Sequence, residues 1–251
     1  MVALILAAGY ATRLYPLTLN RPKPLLKIGD KTILDYIMDS LDEVECIHKT
    51  IVITNDKFHS HFVEWAAGRK SNSEIRVLND GTLTEETRLG AIGDINFAIQ
   101  QENISDEMLI IAGDNFFTYK LVDVYNFYRK HGKDTVVVKE MKDREALKSM
   151  GVAIVDEAGQ VLEFEEKPQN PRSDLAVYAS YLYRRDTVPL FKVYLSQGNK
   201  PDAPGNFSAW LCKQKPLLVY RFDGECYDVG TPESYRLVNE LYGGGTSAVD
   251  Q

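Results

Sequence analysis

Two rhythms of hydrophobic and polar positions run along this chain. The first is a series of short apolar runs: Val2–Leu6 (VALIL), Thr50–Thr54 (TIVIT), Glu74–Leu78, Met108–Ala112 (MLIIA) and Thr135–Val138. They are too short for helices and read as buried strands. Between them, apolar residues recur three and four apart. Ile33, Leu34, Ile37, Met38 and Leu41 do so within Thr32–Glu43, with acids between them. Phe58–Ala67, Asp94–Gln101 and Leu121–His131 read as further helices. Strands alternating with helices predict an α/β fold with a doubly wound, mostly parallel sheet.

The pattern changes after residue 150. Gly151–Val155, Val161–Glu166, Ala176–Tyr183 and Leu217–Phe222 read as strands, with helices over Thr187–Ser196 and Phe207–Lys213. These segments are expected to extend the sheet and form a smaller lobe. No Ser- or Pro-rich linker divides the chain, and no fixed-period repeat appears. Residues 1–242 are therefore expected to form one domain, and 243–251 (GGGTSAVDQ) a flexible tail.

Composition narrows the partners. The net charge of −7, from 29 basic and 36 acidic residues, argues against nucleic acid. It leaves room for a small anion held by local cations. No apolar run reaches about 18 residues, so no membrane span is expected. No secretory signal is visible. Cys46, Cys212 and Cys226 are odd in number and far apart, which fits neither a disulfide framework nor a zinc site. A reducing, cytoplasmic setting is expected.

The densest chemistry lies in VALILAAGYATRLYPLTLNRPKPLL, residues 2–26. The first strand breaks at Leu6 into a loop of small residues, Ala7, Ala8, Gly9 and Ala11, that also carries Tyr10 and ends in Thr12 and Arg13. Small side chains let peptide N–H groups approach phosphate oxygens. Arg13 adds a planar fork of donors. Lys23 stands between Pro22 and Pro24, on backbone that resists helix. Together they point to a polyphosphate site. A strand followed by a glycine-containing loop also occurs as plain connection in many α/β proteins. This string is neither a Walker loop nor G-x-G-x-x-G.

In full, G-x-x-T-R-L-x-P-x-T-x-x-x-P-K-P-L-L resembles the N-terminal signature of the sugar-1-phosphate nucleotidyltransferases, such as glucose-1-phosphate thymidylyltransferases and mannose-1-phosphate guanylyltransferases. Ala8 and Ala11 stand where glycines are common in that family, and they demand permissive backbone angles. The likeness spans roughly Val2–Tyr242 through four motifs in the family's order. It implies a Rossmann-like sheet with a sugar-binding lobe, and a nucleoside triphosphate and a sugar 1-phosphate as substrates. It also implies Mg²⁺ as cofactor, and the family's dimers or tetramers make a homo-oligomer compatible with it.

The resemblance assigns roles residue by residue. Arg13, Lys23 and Asp114 are the catalytic set, and Leu6 to Arg13 with Lys23 and Asp114 hold the nucleotide. Asp114 comes two residues after a predicted strand, where α/β sheets gather ligands; on local sequence alone a cap of the next turn is the lesser alternative. Asp228, in the intact D-x-G-T-P core of CYDVGTPESY, is implied as second metal ligand. Read without the family, Asp228–Pro232 is a turn into a helix capped at Thr231. Met150-Gly151-Val152 and Glu165-Glu166-Lys167-Pro168 resemble the sugar-phosphate elements, so Gly151, Glu166, Lys167 and Val177, with Asn115, are implied as acceptor contacts. Glu165 reads as a solvated strand end.

The loop Asn79–Gly93 occupies the family's base-reading position, but its R-L-G-A-I-G replaces the usual P-L-G-T-A-G. Thr82 and Gly90 are its candidate contacts, and Gly93 would also let backbone approach the base. Base identity stays open. Arg88 can meet a phosphate or pair with Glu85 or Glu86. No general base is called for, because a phosphate acceptor is already ionised, and His48, His59, His61 and His131 receive no role. Two other readings share the N-terminal motif: a phosphocholine cytidylyltransferase and a catalytically silent regulator. Retention of E-K-P and D-x-G-T-P speaks against the first. Retention of Arg13, Lys23, Asp114 and Asp228 speaks against the second.

Overall fold

The computed structural model describes residues 1–244; positions 245–251 of the expected tail lie outside the described residues. The strands are β1 (Val2–Leu6), β2 (Lys27–Ile28), β3 (Lys31–Thr32), β4 (Lys49–Thr54), β5 (Glu74–Asn79), β6 (Met108–Ala112), β7 (Asn115–Phe117), β8 (Asp134–Glu140), β9 (Gly151–Val155), β10 (Val161–Glu166), β11 (Leu175–Tyr183), β12 (Leu217–Arg221) and β13 (Cys226–Asp228). The helices are α1 (Ile33–Asp42), α2 (His59–Gly68), α3 (Ala91–Gln101), α4 (Leu121–His131), α5 (Arg144–Leu147), α6 (Leu190–Ser196), α7 (Pro204–Leu211) and α8 (Pro232–Tyr242).

A nine-stranded sheet runs β10-β9-β11-β6-β1-β4-β5, with β8 and β12 joined to it through β11. Strands β5, β4, β1 and β6 are parallel, as their helical crossovers require. The later strands extend the same sheet and make it mixed. Strand β11 runs antiparallel to β6, β8 and β9, while β12 is parallel to β8.

Alternation along β1 shows why both faces carry helices. Ala3 and Ile5 enter a core layer with Leu34 and Met38 of α1, Phe62 of α2, Val124 and Tyr128 of α4 and Val238 of α8. Val2 and Leu4 enter the opposite layer, with Ile92 and Ile95 of α3, Phe191 of α6 and Phe207 of α7. Both faces of each central strand are buried, which is why the strands read as continuous apolar runs. Among the described residues no helix is long and apolar enough to cross a membrane.

Local signals place several helix starts. Thr32 Oγ1 accepts from the Asp35 N–H at 3.1 Å, and Asp35 Oδ2 accepts from the Thr32 N–H at 2.9 Å, a capping box that opens α1. Helix α8 starts at the expected cap, with Thr231 Oγ1 accepting from the Ser234 N–H at 3.2 Å. Helix α3 begins three residues before its apolar pattern suggests. Its first two N–H groups, of Ala91 and Ile92, donate to the Asp202 and Pro201 carbonyls at 3.1 and 2.8 Å, a cap supplied by a distant loop.

Strands β7 and β13 are not among the expected elements. They form their own antiparallel ladder, pairing Asn115 with Asp228, Phe116 with Tyr227 and Phe117 with Cys226. Three residues are too few for a periodicity to show.

Helix α3 also buries an acid. Asp94 is 6% exposed and lies against Asp80, which is 8% exposed at the end of β5. Asp80 Oδ1 accepts from the Thr82 N–H and hydroxyl at 2.7 and 2.8 Å, but Asp80 Oδ2 and Asp94 Oδ1 find no donor. Burial, and then the neighbouring Asp80, push the Asp94 carboxyl up to about 8. Asp94 therefore keeps a proton in the folded chain that an unfolded chain releases above about pH 4. The sign follows from proton counting: this group's contribution to stability falls as pH rises from about 4 to about 8. Asp94→Asn keeps a donor and removes the titration. Thermal unfolding at pH 5 and pH 8 is expected to show the variant gaining on the parent protein at the higher pH, and a pH-independent difference would refute the protonated Asp94.

Candidate active site

Parallel register aligns the carboxyl ends of β1, β4 and β6, since Leu6 pairs with both Ile53 and Ala112. The loop after β1 and the turn after β6 must therefore emerge side by side. Ala7 N–H donates to the Ile53 carbonyl at 2.9 Å, and Asn55 Nδ2 donates to the Ala8 carbonyl at 2.9 Å, which ties the loop to β4. Ala11 adopts the left-handed region at φ 49°, the permissive geometry that a glycine takes without cost. Thr18 steadies it by donating to the Ala11 carbonyl at 2.7 Å. Among the described residues no acceptor meets the N–H of Gly9, Tyr10, Ala11, Thr12 or Arg13.

This loop walls a cleft of about 300 Å³ lined by Leu6, Ala7, Gly9 to Arg13, Lys23 and Asp114. Ala8 sits behind it, with its carbonyl occupied by Asn55. Pro24, Glu85, Arg88 and Gly230 complete the lining. Arg88 pairs with Glu85 at 2.6 Å and lies 3.5 Å from Asp202.

Lys23 is the centre of the site. It is 6% exposed, and its Nζ donates to Asp114 Oδ2 at 2.9 Å and to Asp228 Oδ1 at 2.8 Å. Burial works to lower its pKa, but the two carboxylates outweigh burial and hold it above its ordinary value. The β7–β13 ladder makes this meeting. Asp114 immediately precedes β7, Asp228 ends β13 opposite Asn115, and the Val229 N–H reaches the Asp114 carbonyl at 3.3 Å. Arg13 closes the group. A Cβ on Gly230 would lie 3.1 Å from Asp228 Oδ2 and 3.4 Å from the Arg13 guanidinium, so a side chain there would crowd Asp228. Residues far apart in sequence thus face one place.

A second cleft of about 560 Å³ adjoins the first, and Asp114 lines both. Asn115, Gly151, Glu166, Lys167, Val177 and Asp228 line it, which brings all of the expected acceptor residues together. Tyr178, Tyr227 and Gly205 also line it and were not anticipated. Their only sequence signal is position beside a motif or at a helix start. Burial raises the Glu166 carboxyl, although Lys167 opposes this. A Cβ on Gly205 would fall 2.0 Å from Glu166 Oε2, so the start of α7 must be bare for Glu166 to rest there.

Two expected base contacts are placed elsewhere. Thr82 is buried, bound to Asp80, and outside the cleft lining. Gly90 also lies outside the lining. At φ 78° it packs against the Pro201 and Asp202 backbone, where an added Cβ would meet the Pro201 carbonyl at 2.7 Å. Its missing side chain thus lets α3 approach a protein loop. Gly93 is crowded in the same way by Leu89.

The residues present fit a hard divalent ion. The Asp114 and Asp228 side chains are 41% and 63% exposed, so they can reach an ion in the cleft, and they already hold one cationic group between them. Among the described residues no three His, Cys, Asp or Glu groups converge. Two carboxylates, with phosphates and waters filling the rest, match what Mg²⁺ prefers.

The chain is 30% identical over 253 residues to the glucose-1-phosphate adenylyltransferase of Thermomicrobium roseum, covering 94% of this chain and 58% of that protein. It is 29% identical over 236 residues to the bifunctional protein GlmU of Methanocaldococcus jannaschii, covering 92% of this chain and 52% of that protein. It therefore spans little more than half the length of these relatives. Among solved structures, UDP-glucose pyrophosphorylase complexed with UDP-glucose superposes with a TM-score of 0.79 at 20% identity, over 96% of this chain and 97% of that one, a likeness of fold. The nucleotidyl transferase family model matches residues 2–243, and the chain belongs to that family.

Proposed function

We propose that this protein joins a nucleoside triphosphate to a sugar 1-phosphate, releasing pyrophosphate and forming a nucleoside diphosphate sugar. The observation that carries this reading is Asp114. It is the wall shared by a loop-lined cleft with three cations, Arg13, Lys23 and Arg88, and a second cleft holding a desolvated carboxylate. The name of one relative, a glucose-1-phosphate adenylyltransferase, agrees with it.

In the reaction, an oxygen of the sugar phosphate attacks the α-phosphorus as the bond to the bridging oxygen of pyrophosphate breaks. Both partners are anions, and two like charges about 4 Å apart repel by roughly 4 kcal/mol at an intermediate dielectric. Arg13 and Lys23 offset that repulsion and keep the reacting groups in line. The free N–H groups of the β1 loop cradle the triphosphate, with Arg13 on the departing pyrophosphate and Lys23 on the α-phosphate. Mg²⁺, held by Asp114 and Asp228, would neutralise phosphate charge as a Lewis acid. Glu166 accepts hydrogen bonds from sugar hydroxyls, and Lys167 meets the sugar phosphate. The acceptor oxygen carries no proton at neutral pH, so no base is required.

Pyrophosphate release, assayed over a panel of nucleoside triphosphates and sugar 1-phosphates, is the direct test. One productive pair is expected, and silence across the panel would overturn the reading. With that pair, Lys23→Ala is expected to lower kcat by about 100-fold or more, the scale of a lost transition-state contact. Near-normal turnover would remove Lys23 from the mechanism. Glu166→Ala should raise the KM for the sugar phosphate and leave nucleotide binding unchanged. Gly205→Ala should do the same, because its methyl group displaces Glu166. An effect of Gly205→Ala on nucleotide affinity instead would contradict that assignment.

A further inference from the structure

Lys23 bridges the two acids that the proposed function assigns to the metal. Its Nζ is 2.9 Å from Asp114 Oδ2 and 2.8 Å from Asp228 Oδ1, and the side chain is almost fully buried. The segment that carries it is stiff: Pro22 and Pro24 flank Lys23, which opens a short 3-10 turn closed by Leu26 N–H donating to the Lys23 carbonyl at 3.0 Å. The backbone is thus fixed, while the four-carbon stem can turn. Without a cation between them, the two carboxylates would repel one another. Lys23 therefore does two things: it holds the acids together, and it fills their shared space.

We propose that Lys23 is a placeholder for the metal: its ammonium group pre-positions Asp114 and Asp228 and must leave them before a divalent cation can bind. This rests on the reading of Asp114 and Asp228 as the metal acids. It adds that the nucleotide-free protein binds a divalent ion weakly, because each metal binding event must break two charged hydrogen bonds. Triphosphate reverses the balance. Its oxygens give the ammonium group new partners, so Lys23 can turn toward the phosphates as the acids are released. Metal and nucleotide therefore enter together, and Lys23 is a positioning residue for the metal acids in addition to its contact with phosphate.

The test is Mn²⁺ binding to the nucleotide-free full chain, followed by electron paramagnetic resonance of the free ion. Lys23→Met is expected to bind Mn²⁺ about tenfold more tightly than the parent protein, the effect of removing a partly exposed pair of ionic contacts. Arg13→Met is the control. It removes the same charge from the same cleft but forms no ion pair with either acid, so its affinity should change less than about threefold. Equal tightening by both variants would mean general charge and overturn the proposal, as would no tightening by Lys23→Met. A second measurement needs no variant: a crystal structure of the parent protein with Mn²⁺ and a non-hydrolysable nucleotide, the metal located by its anomalous signal. Lys23 Nζ is expected beyond about 4 Å from both carboxylates, outside ion-pair range. Metal on Asp114 and Asp228 with Nζ still bridging them would refute the placeholder while sparing the site. Metal on other residues would overturn both.

Discussion

One buried ammonium group between two carboxylates organises this site. Lys23 links the segment after the β1 loop to Asp114 after β6 and to Asp228 at the end of β13. The three groups depend on one another. A buried lysine without partners loses its hydration, and two facing carboxylates without a cation repel. Together they satisfy one another, and the group keeps a net negative charge open to the cleft. That arrangement is suited to exchanging one cation for another.

The surrounding fold serves this meeting point. The parallel strands β1, β4 and β6 bring their loops to one edge of the sheet, and the later antiparallel strands add a wall with Glu166 and Lys167. Close approach is secured by bare glycines at two places. Gly230 leaves room for Asp228 and Arg13, and Gly205 leaves room for Glu166. At Gly205 a methyl group would fall on a carboxylate oxygen, and at Gly230 it would crowd one, so the constraint is steric and local.

Behind the cleft lies a second buried polar group with a different purpose. Asp80, Thr82 and Asp94 join the end of β5 to the first turn of α3. The Thr82 hydroxyl donates to Asp80 Oδ1 at 2.8 Å, while Asp80 Oδ2 and Asp94 Oδ1 have no donor among the described residues. Tyr10, which lines the cleft, lies 3.5 Å from the Thr82 hydroxyl and marks where the two polar groups come nearest.

The amino-acid sequence by itself determined the elements with strong periodicity: the apolar strands, the amphipathic α1 and α4, and the capped starts of α1 and α8. It also marked the small-residue loop, the flanked Lys23 and the candidate acids, because those signals are carried by neighbouring residues. Only the tertiary structure decided which of them meet. The ladder between β7 and β13 is three residues long on each side, too short to leave a pattern, yet it sets Asp228 beside Asp114. The same holds for Gly90. In the sequence it reads as room for a ligand, and in the fold its bare α-carbon lies against Pro201, 111 positions further along the chain. A glycine declares that something must come close; what comes close depends on contacts between segments that no local pattern records.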